Sequence, residues 1–235
     1  FHPWRLLEEQ LARGYLALAK YMEMKAALFP SDERTQAKVR NRLALQNVKV
    51  VAALDQCRDV LNSYRDALPG DEPLPPYLHT FMLLQSLHER AASSHERYEI
   101  LSQEPANRDL LEGYGQMLLQ LSQAVRQFGQ SLLTGIPYRH PAALDWLANV
   151  LRDRLALVAT DNKAPLTLLF NNLERSHRAL KHRDDEQVRI LAPRLARDPR
   201  PLGQRFKDQL TWSNPRMRHA ARLSLCFLVG FAISE

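Results

Sequence analysis

The sequence predicts an all-α fold: an antiparallel bundle of about six long helices, followed by the start of a transmembrane helix. Three observations lead to this prediction. Glycine is scarce, at 8 of 235 residues, and no Asn-Gly or Asp-Gly hairpin dipeptide occurs. Apolar residues recur at three- and four-residue spacing over long stretches that prolines separate. Near the C-terminus, several arginines lead directly into an unbroken apolar run.

Apolar stripes define the first two helices. Residues 4–29 carry leucines at helical spacing, and Pro30 ends that run. Ser31 and Asp32 can cap a second, longer helix from about 33 to 68. Its stripe, which only Asn47 interrupts, consists of Leu43, Val50, Leu54, Cys57, Leu61, Tyr64 and Leu68.

The third and fourth helices are predicted at 77–101 and 108–134, with Pro105 between them. Gly135 is positioned to end the fourth helix in a left-handed conformation. The stripe of the third helix is Phe81, Leu84, His88, Ala91, His95 and Tyr98. The stripe of the fourth is the most regular in the chain, with Leu111, Tyr114, Leu118, Leu121, Val125, Phe128 and Leu132.

Two further helices complete the predicted bundle. One covers about 141–158, and the next ends near Lys181 with Pro165 in its first turn. Helices of this length with short connections pack antiparallel, because each apolar stripe must be covered by a neighbour. We therefore predict a helical bundle over 1–185, a basic, proline-containing juxtamembrane segment over 186–214, and the truncated start of a transmembrane helix over 215–235.

The C-terminal segment has the composition of a helix that enters a bilayer. Between residues 189 and 222 the chain carries nine Lys or Arg against two acidic residues. A basic tail can bind nucleic acid or anionic lipid, but here it runs straight into the apolar residues 223–233, as at the cytoplasmic end of a membrane helix. The predicted membrane anchors are Arg216, Arg218, Arg222 and Trp212, and Trp4 is expected near the same membrane.

Residues 88–98 hold the densest group of chemically active side chains. His88 and His95 share a face of the predicted helix but lie about 10 Å apart along its axis, which is too far for one metal ion. Either they form hydrogen bonds within the bundle, or they line a polar pocket that senses protons or holds an anionic solute. The candidate solute, proton-sensing or family-marker residues are His88, Glu89, Arg90, Ser94, His95, Tyr98, Tyr138 and His140.

Motifs of the common enzyme classes are missing. The sequence contains no glycine-rich phosphate loop, no G-x-S-x-G and no C-x-x-C. Cys57 and Cys226 are far apart and suggest no disulfide framework. We expect no catalytic residue, no metal site and no cofactor. The basic group around His177 and Lys181 is interpreted as a helix C-terminus that favours cations.

Several short motifs together resemble a known family. They cover residues 11–15, 20–25, 88–95, 137–140, 169–173 and 218–225. In these motifs the chain resembles the soluble domain of YccS-type inner membrane proteins, within the fusaric-acid-resistance and aromatic-acid-exporter group. The resemblance extends from Leu11 to Phe231, except for about 183–210. It implies two membrane blocks, each followed by a soluble helical region in the cytoplasm, and efflux of aromatic carboxylic acids by some members.

Two functions therefore stay open. The first is the cytoplasmic domain of a bacterial inner-membrane efflux transporter, with a gating, assembly or regulatory role and no covalent chemistry. The alternative is a soluble helical sensor or interaction module that binds a small aromatic acid or a protein partner, in a pocket of His88, His95, Tyr98 and an arginine. The expected partners are the protein's own membrane domains and the lipid bilayer, with a homo-oligomer also open, and no nucleic acid is expected.

Overall fold

A computed structural model of the chain describes residues 4–30, 33–67, 74–93, 98–158 and 160–183, and all regular elements in these ranges are helices. The predicted all-α class is therefore confirmed for the described residues. The juxtamembrane and transmembrane segments predicted over 186–235 lie outside them. The described helices are α1 (Arg5–Ala26), α2 (Glu33–Ala67), α3 (Leu74–Ala92), α4 (Tyr98–Gln103), α5 (Pro105–Thr134), α6 (Ala142–Ala156) and α7 (Thr160–Lys181).

No helix in the described part of the chain combines the length and the apolar composition that a membrane crossing requires.

One predicted helix is wrong at its C-terminal end. The continuous third helix over 77–101 is divided into α3, which ends at Ala92, and the six-residue α4. At the end of α3 the Ser93 hydroxyl donates a hydrogen bond to the Arg90 carbonyl (3.1 Å), and serine side chains that bond to nearby backbone compete with helix continuation. The seven-residue spacing argument for His88 and His95 assumed one unbroken helix, and it no longer applies because Ser93 is not helical.

Proline and glycine set the limits of the later helices. Pro105 is in the first turn of α5, where its missing N–H costs no hydrogen bond, so this helix begins three residues earlier than predicted. Gly135 ends it with φ of 69°, and its N–H donates to the Ser131 carbonyl (3.0 Å), as predicted. Pro165 lies inside α7 because the helix already begins at Thr160, so it is not in the first turn.

Contacts along α1 give the directions of its neighbours. Trp4 stacks on Tyr64 at the end of α2, with ring centroids 5.1 Å apart, while the Gln46 amide donates to the Ala17 carbonyl (2.9 Å). Residue numbers therefore rise along α1 as they fall along α2, so the two helices run antiparallel. The same ring of Trp4 stacks on Tyr77 near the start of α3 (5.2 Å). Lys25 near the end of α1 donates to the Ala91 carbonyl near the end of α3, so α1 and α3 run in the same direction.

The apolar stripes predicted for α2 and α5 form much of the core. Six of the seven α5 stripe residues are buried, and Leu132 packs against them. In α2, five stripe residues are buried, Tyr64 is partly buried, and Leu68 is outside the described residues. Trp4, expected near a membrane, is only 8% exposed in its stack with two tyrosines. The Trp4 ring is therefore part of the core.

Helix α5 approaches the turn that follows α1 so closely that a glycine is required at the contact. A Cβ atom added to Gly115 would lie 2.6 Å from the Phe29 carbonyl oxygen and 3.1 Å from the Phe29 Cβ. A Cβ added to Gly113, two residues away on the same helix, would meet only the flexible end of the Leu151 side chain. The two glycines therefore form a matched pair, one against backbone and one against a movable side chain.

We expect Gly115→Ala to lower the free energy of unfolding by about 1–3 kcal/mol, because the backbone of Phe29 cannot move aside without shifting α1. Gly113→Ala is expected to be neutral or stabilising, by up to about 1 kcal/mol, because alanine favours the helix. Urea unfolding followed by circular dichroism measures both. A Gly115→Ala protein at least as stable as the Gly113→Ala protein would contradict the close approach.

Candidate functional site

A hydrogen-bonded network, which we call the histidine network, joins the loop after α5 to helices α6 and α7. The Tyr138 hydroxyl is 2.8 Å from Nδ1 of His140, and Nε2 of His140 is 2.9 Å from Nδ1 of His177 on α7. Nε2 of His177 is 3.1 Å from a carboxylate oxygen of Asp145 on α6. The ammonium of Lys181 donates to both oxygens of that carboxylate, at 2.7 and 2.9 Å. Five side chains thus connect three segments.

The carboxylate fixes the proton positions that satisfy this network. An ionised Asp145 can only accept, so Nε2 of His177 carries the proton and its Nδ1 accepts. Nε2 of His140 then donates to that Nδ1, and Nδ1 of His140 accepts from the Tyr138 hydroxyl. Every donor points towards Asp145. This assignment satisfies each ring nitrogen with both imidazoles neutral.

The electrostatic surroundings favour these neutral rings. Burial, together with the neighbouring His177, lowers the pKa of His140 to about 4, while Asp145 acts in the opposite direction. Burial also lowers the pKa of His177, which is only 4% exposed, although Asp145 opposes this shift. The hydrogen bond from Lys181 holds the pKa of Asp145 below its usual range. Near pH 7 the network therefore contains two neutral histidines and one ion pair.

Protonation of either imidazole would change the directions of the hydrogen bonds. A doubly protonated ring has two donors and no acceptor, so a proton gained by His140 would require the Tyr138 hydroxyl to turn and accept. A proton gained by His177 would require His140 to shift to its other tautomer, so that its Nε2 accepts. Other charged groups act on the same rings, namely His182 on His140 and Glu174 on His177. Proton binding would therefore reverse hydrogen bonds between the loop and α7.

The predicted candidates on α3 make their contacts outside the histidine network. Nε2 of His88 lies 2.7 Å from the Asn47 side-chain oxygen, so the histidine pairs with the polar residue that interrupts the α2 stripe. Glu89 accepts a hydrogen bond from Gln85 at 3.1 Å and is exposed. Ser94 and His95 lie outside the described residues, as do Arg216, Arg218, Arg222 and Trp212. Tyr98 begins α4, and its side chain is likewise outside the description.

Arg90 lines a separate, mainly apolar cavity, which we call the Lys25 cavity. It lies between α1, α3, α5 and α7 and has a volume of about 30 Å³. Lys25, only 5% exposed, donates from its ammonium to the Ala91 carbonyl. Burial lowers the pKa of Lys25 to about 8. The remaining lining residues are Met22, Phe29, Ala91, Leu118, Leu121, Leu169, Asn172, Leu173 and Ser176, so the described lining has two cationic side chains and no carboxylate.

The structure thus brings two of the predicted candidates, Tyr138 and His140, into one network. Sequence reasoning missed the role of Asp145, His177 and Lys181 in it. Asp145 and His177 are 32 residues apart, and their contact depends on the antiparallel packing of α6 on α7. A usable signal existed within α7, because positions 177 and 181 are four apart and must share a helix face. Within the described residues, no group of three or more His, Cys, Asp or Glu side chains is arranged to hold a metal ion.

The histidine network predicts a specific dependence of stability on pH. Between about pH 6.5 and about pH 4 the unfolded chain binds a proton at His140 that the folded chain does not. The free energy of unfolding should therefore fall as pH falls through this window. Because the ring is partly exposed, we discount for solvent screening and expect a contribution of about 1–2 kcal/mol.

We expect His140→Gln to make the fall in stability between pH 7 and about pH 4.5 shallower than in the wild type. Urea unfolding at several pH values measures the slope. His79→Gln, on α3 and away from the network, serves as the control and should keep the wild-type slope. If stability falls with pH as steeply in His140→Gln as in the wild type, the network does not bind protons differently in the folded and unfolded states.

Comparison with known proteins gives the chain a family. The model of the family described as FUSC-like inner membrane protein yccS matches residues 1–187. The chain is 31% identical to inner membrane protein YccS of Escherichia coli K12, over 99% of this chain and 35% of that protein. It is 24% identical to an uncharacterized protein of Haemophilus influenzae, over 100% of this chain and 34% of that protein. No solved structure gives a significant match.

These matches agree with the resemblance found in the sequence motifs. The chain spans about a third of the length of the curated relatives it matches. The family description and the name of the E. coli relative both denote a membrane protein, and neither names a reaction. Since the family model covers the whole described helical body, the chain belongs to the FUSC-like family of inner membrane proteins of the YccS type.

Proposed function

We propose that this chain is the cytoplasmic helical domain of an inner-membrane efflux transporter of the aromatic-acid-exporter and fusaric-acid-resistance type. In this proposal the domain gates, assembles or regulates the membrane part and does no covalent chemistry. The observation that carries the proposal is the family match over residues 1–187. The arginines before the apolar run 223–233 support a cytoplasmic position, because basic residues flank membrane helices on that side.

The histidine network supports a regulatory role in particular. It connects the loop between α5 and α6 to α7 through two imidazoles, and their lowered pKa values keep both rings neutral at cytoplasmic pH. The neutral network would hold the loop against α7 and pass movements of these helices to the membrane segments attached to the domain. Its partners would be those membrane segments and the bilayer, with no nucleic acid.

Efflux measurements in cells test this proposal. The protein is produced in its natural membrane context in a strain that lacks its own transporter of this family, and retention of labelled aromatic carboxylates is followed. We expect His140→Gln and His177→Gln to lower efflux, because each breaks the connection between the loop and α7, with His79→Gln behaving as the wild type. Efflux that is unchanged when residues 1–187 are deleted, at equal membrane levels of protein, would refute the proposed role.

A sensor of small aromatic acids is the second candidate, and the Lys25 cavity favours it. Its cationic groups suit a carboxylate, and its leucines and Phe29 suit a ring. A volume of about 30 Å³ holds only about two waters, so an aromatic acid would enter only if the surrounding helices separated. Titration calorimetry with benzoate and salicylate tests this function. Heat that disappears in Lys25→Met and persists in the exposed Lys20→Met would support it, and no heat with the wild type would exclude it for these acids.

A further inference from the structure

The N-terminal half of α2 exposes aliphatic side chains on the face turned away from the core. Leu45 is 69% exposed and Val48 is 66% exposed, whereas Leu43 and Val50 on the opposite face are buried. Positions 45, 48 and 52 follow each other at three- and four-residue spacing and therefore lie on one side of the helix. This side does not cover the bundle core, so burial within the described fold does not explain its large apolar groups.

Cations surround these aliphatic groups on the same side of the helix. Arg34, Lys38, Arg42 and Lys49 are exposed and fall within about 60° of Leu45 around the helix axis, at 100° per residue. We call the surface formed by Arg34, Lys38, Arg42, Leu45, Val48 and Lys49 the outer face of α2. From residue 34 to residue 54 the sequence contains no acidic residue. The outer face is thus both positively charged and apolar over about four helical turns.

The combination of positive charge and apolar side chains on the outer face of α2 indicates what kind of partner can bind there. A second copy of the chain joined through the same face would oppose cation to cation, which a twofold contact cannot avoid when no carboxylate lies in the patch. The partner must therefore carry negative charge and must also accept aliphatic side chains. A bilayer surface rich in anionic lipid offers both, since its headgroups attract Lys and Arg and its interface accepts apolar groups.

We propose that the outer face of α2 docks onto the anionic lipid surface of the inner membrane. The inference rests on the proposed function, because a domain attached to an inner-membrane transporter on the cytoplasmic side stays within reach of such lipid. Charge attraction would hold the four cations at the headgroups, while Leu45 and Val48 insert between them. Docking in this way would fix the orientation of α2, the longest described helix at 35 residues, relative to the membrane.

Vesicle flotation with the 235-residue chain tests the proposal. The wild type should bind vesicles of phosphatidylglycerol and phosphatidylethanolamine and should bind phosphatidylcholine vesicles much less. Lys38→Glu, Arg42→Glu and Lys49→Glu together are expected to weaken partitioning onto the anionic vesicles by about 100-fold. Leu45→Ser with Val48→Ser should weaken it by about tenfold, because less apolar surface is inserted.

The matched control makes the same charge change elsewhere. Arg108, Arg154 and Arg175 are exposed on α5, α6 and α7, and reversing all three to glutamate gives the same net charge as the α2 triple variant. This control should stay within about tenfold of the wild type, because charges far from the contact are screened. All variants retain the apolar run 223–233, so differences among them report on α2. Thermal unfolding confirms that each variant is folded.

Three results would overturn the proposal: an equal loss in the two triple variants, equal binding of the wild type to phosphatidylcholine, or binding of the outer face to an acidic protein with no affinity for anionic vesicles. The last result would assign the face to a protein partner. Since vesicle binding requires no transport, an absence of vesicle binding leaves the proposed function standing. If the efflux measurement refutes the proposed function, vesicle flotation still decides whether the outer face of α2 binds anionic lipid.

Discussion

Replacing Tyr15 with alanine is expected to lower the free energy of unfolding by about 3–5 kcal/mol. The side chain is fully buried, and its ring packs edge-on against Phe128 of α5 with centroids 4.8 Å apart. Its hydroxyl donates to the Thr80 carbonyl of α3 at 2.6 Å. One side chain of α1 thus contacts two other helices, and its removal leaves a large cavity that backbone packing cannot close.

A second substitution at this position separates the ring from the hydroxyl. Tyr15→Phe keeps the contact with Phe128 and removes only the hydrogen bond to Thr80, so we expect a loss of about 1 kcal/mol. Urea unfolding of both variants, extrapolated to water, gives the two values. An alanine variant that loses no more stability than the phenylalanine variant would show that Tyr15 does not hold the three helices together.

Replacing Lys25 with methionine is expected to stabilise the protein by about 2 kcal/mol at pH 7. Burial lowers the pKa of this lysine from 10.5 to about 8, so a charged ammonium is held in the Lys25 cavity at neutral pH at a cost of up to about 3 kcal/mol. Methionine has a similar shape without the charge. The lost hydrogen bond to the Ala91 carbonyl offsets part of the gain.

The lowered pKa of Lys25 also predicts how the stability of the protein changes with pH. Above about pH 8 the folded protein releases the Lys25 proton, while the unfolded chain keeps it up to about pH 10.5. Wild-type stability should therefore rise with pH from about 8 to about 9.5, and the stability difference between Lys25→Met and the wild type should shrink. Lys20→Met, an exposed lysine on the same helix, is the control. A difference that is constant from pH 7 to pH 9.5 would mean that Lys25 is not buried as a charged group.

The fold was largely predictable because burial in a helical bundle repeats along the sequence. The α5 stripe from Leu111 to Leu132 follows the helical period, and its members form or pack on the core. Gly135 was predictable for a similar reason, since a left-handed residue at a helix end favours glycine. The break after Ala92 was not, because the predicted stripe runs from Ala91 through His95 to Tyr98 and only local serine hydrogen bonding distinguishes the helix end.

The candidate site was harder to predict, because it depends on which helices become neighbours. His140 and His177 are 37 residues apart, and no spacing rule within one helix relates a loop residue to α7. Lys25 appeared as one of many helical lysines, and only the packing of α3 over α1 buries it. The Asn47 interruption of the α2 stripe and the histidine at position 88 were both visible, but their pairing required the register of α2 against α3.

Cysteine labelling from the two sides of the membrane tests the cytoplasmic position of this domain most directly. Ser63 is exposed on α2, so Ser63→Cys places a reactive thiol on the surface. Cys57 is buried and its pKa is raised to about 12, so it should not react, and Cys226 is replaced by serine. In spheroplasts that make the protein in its natural membrane context, an impermeant maleimide should label Ser63→Cys only after the membrane is permeabilised. Full labelling of intact spheroplasts would place the domain on the outer side and contradict the proposed function.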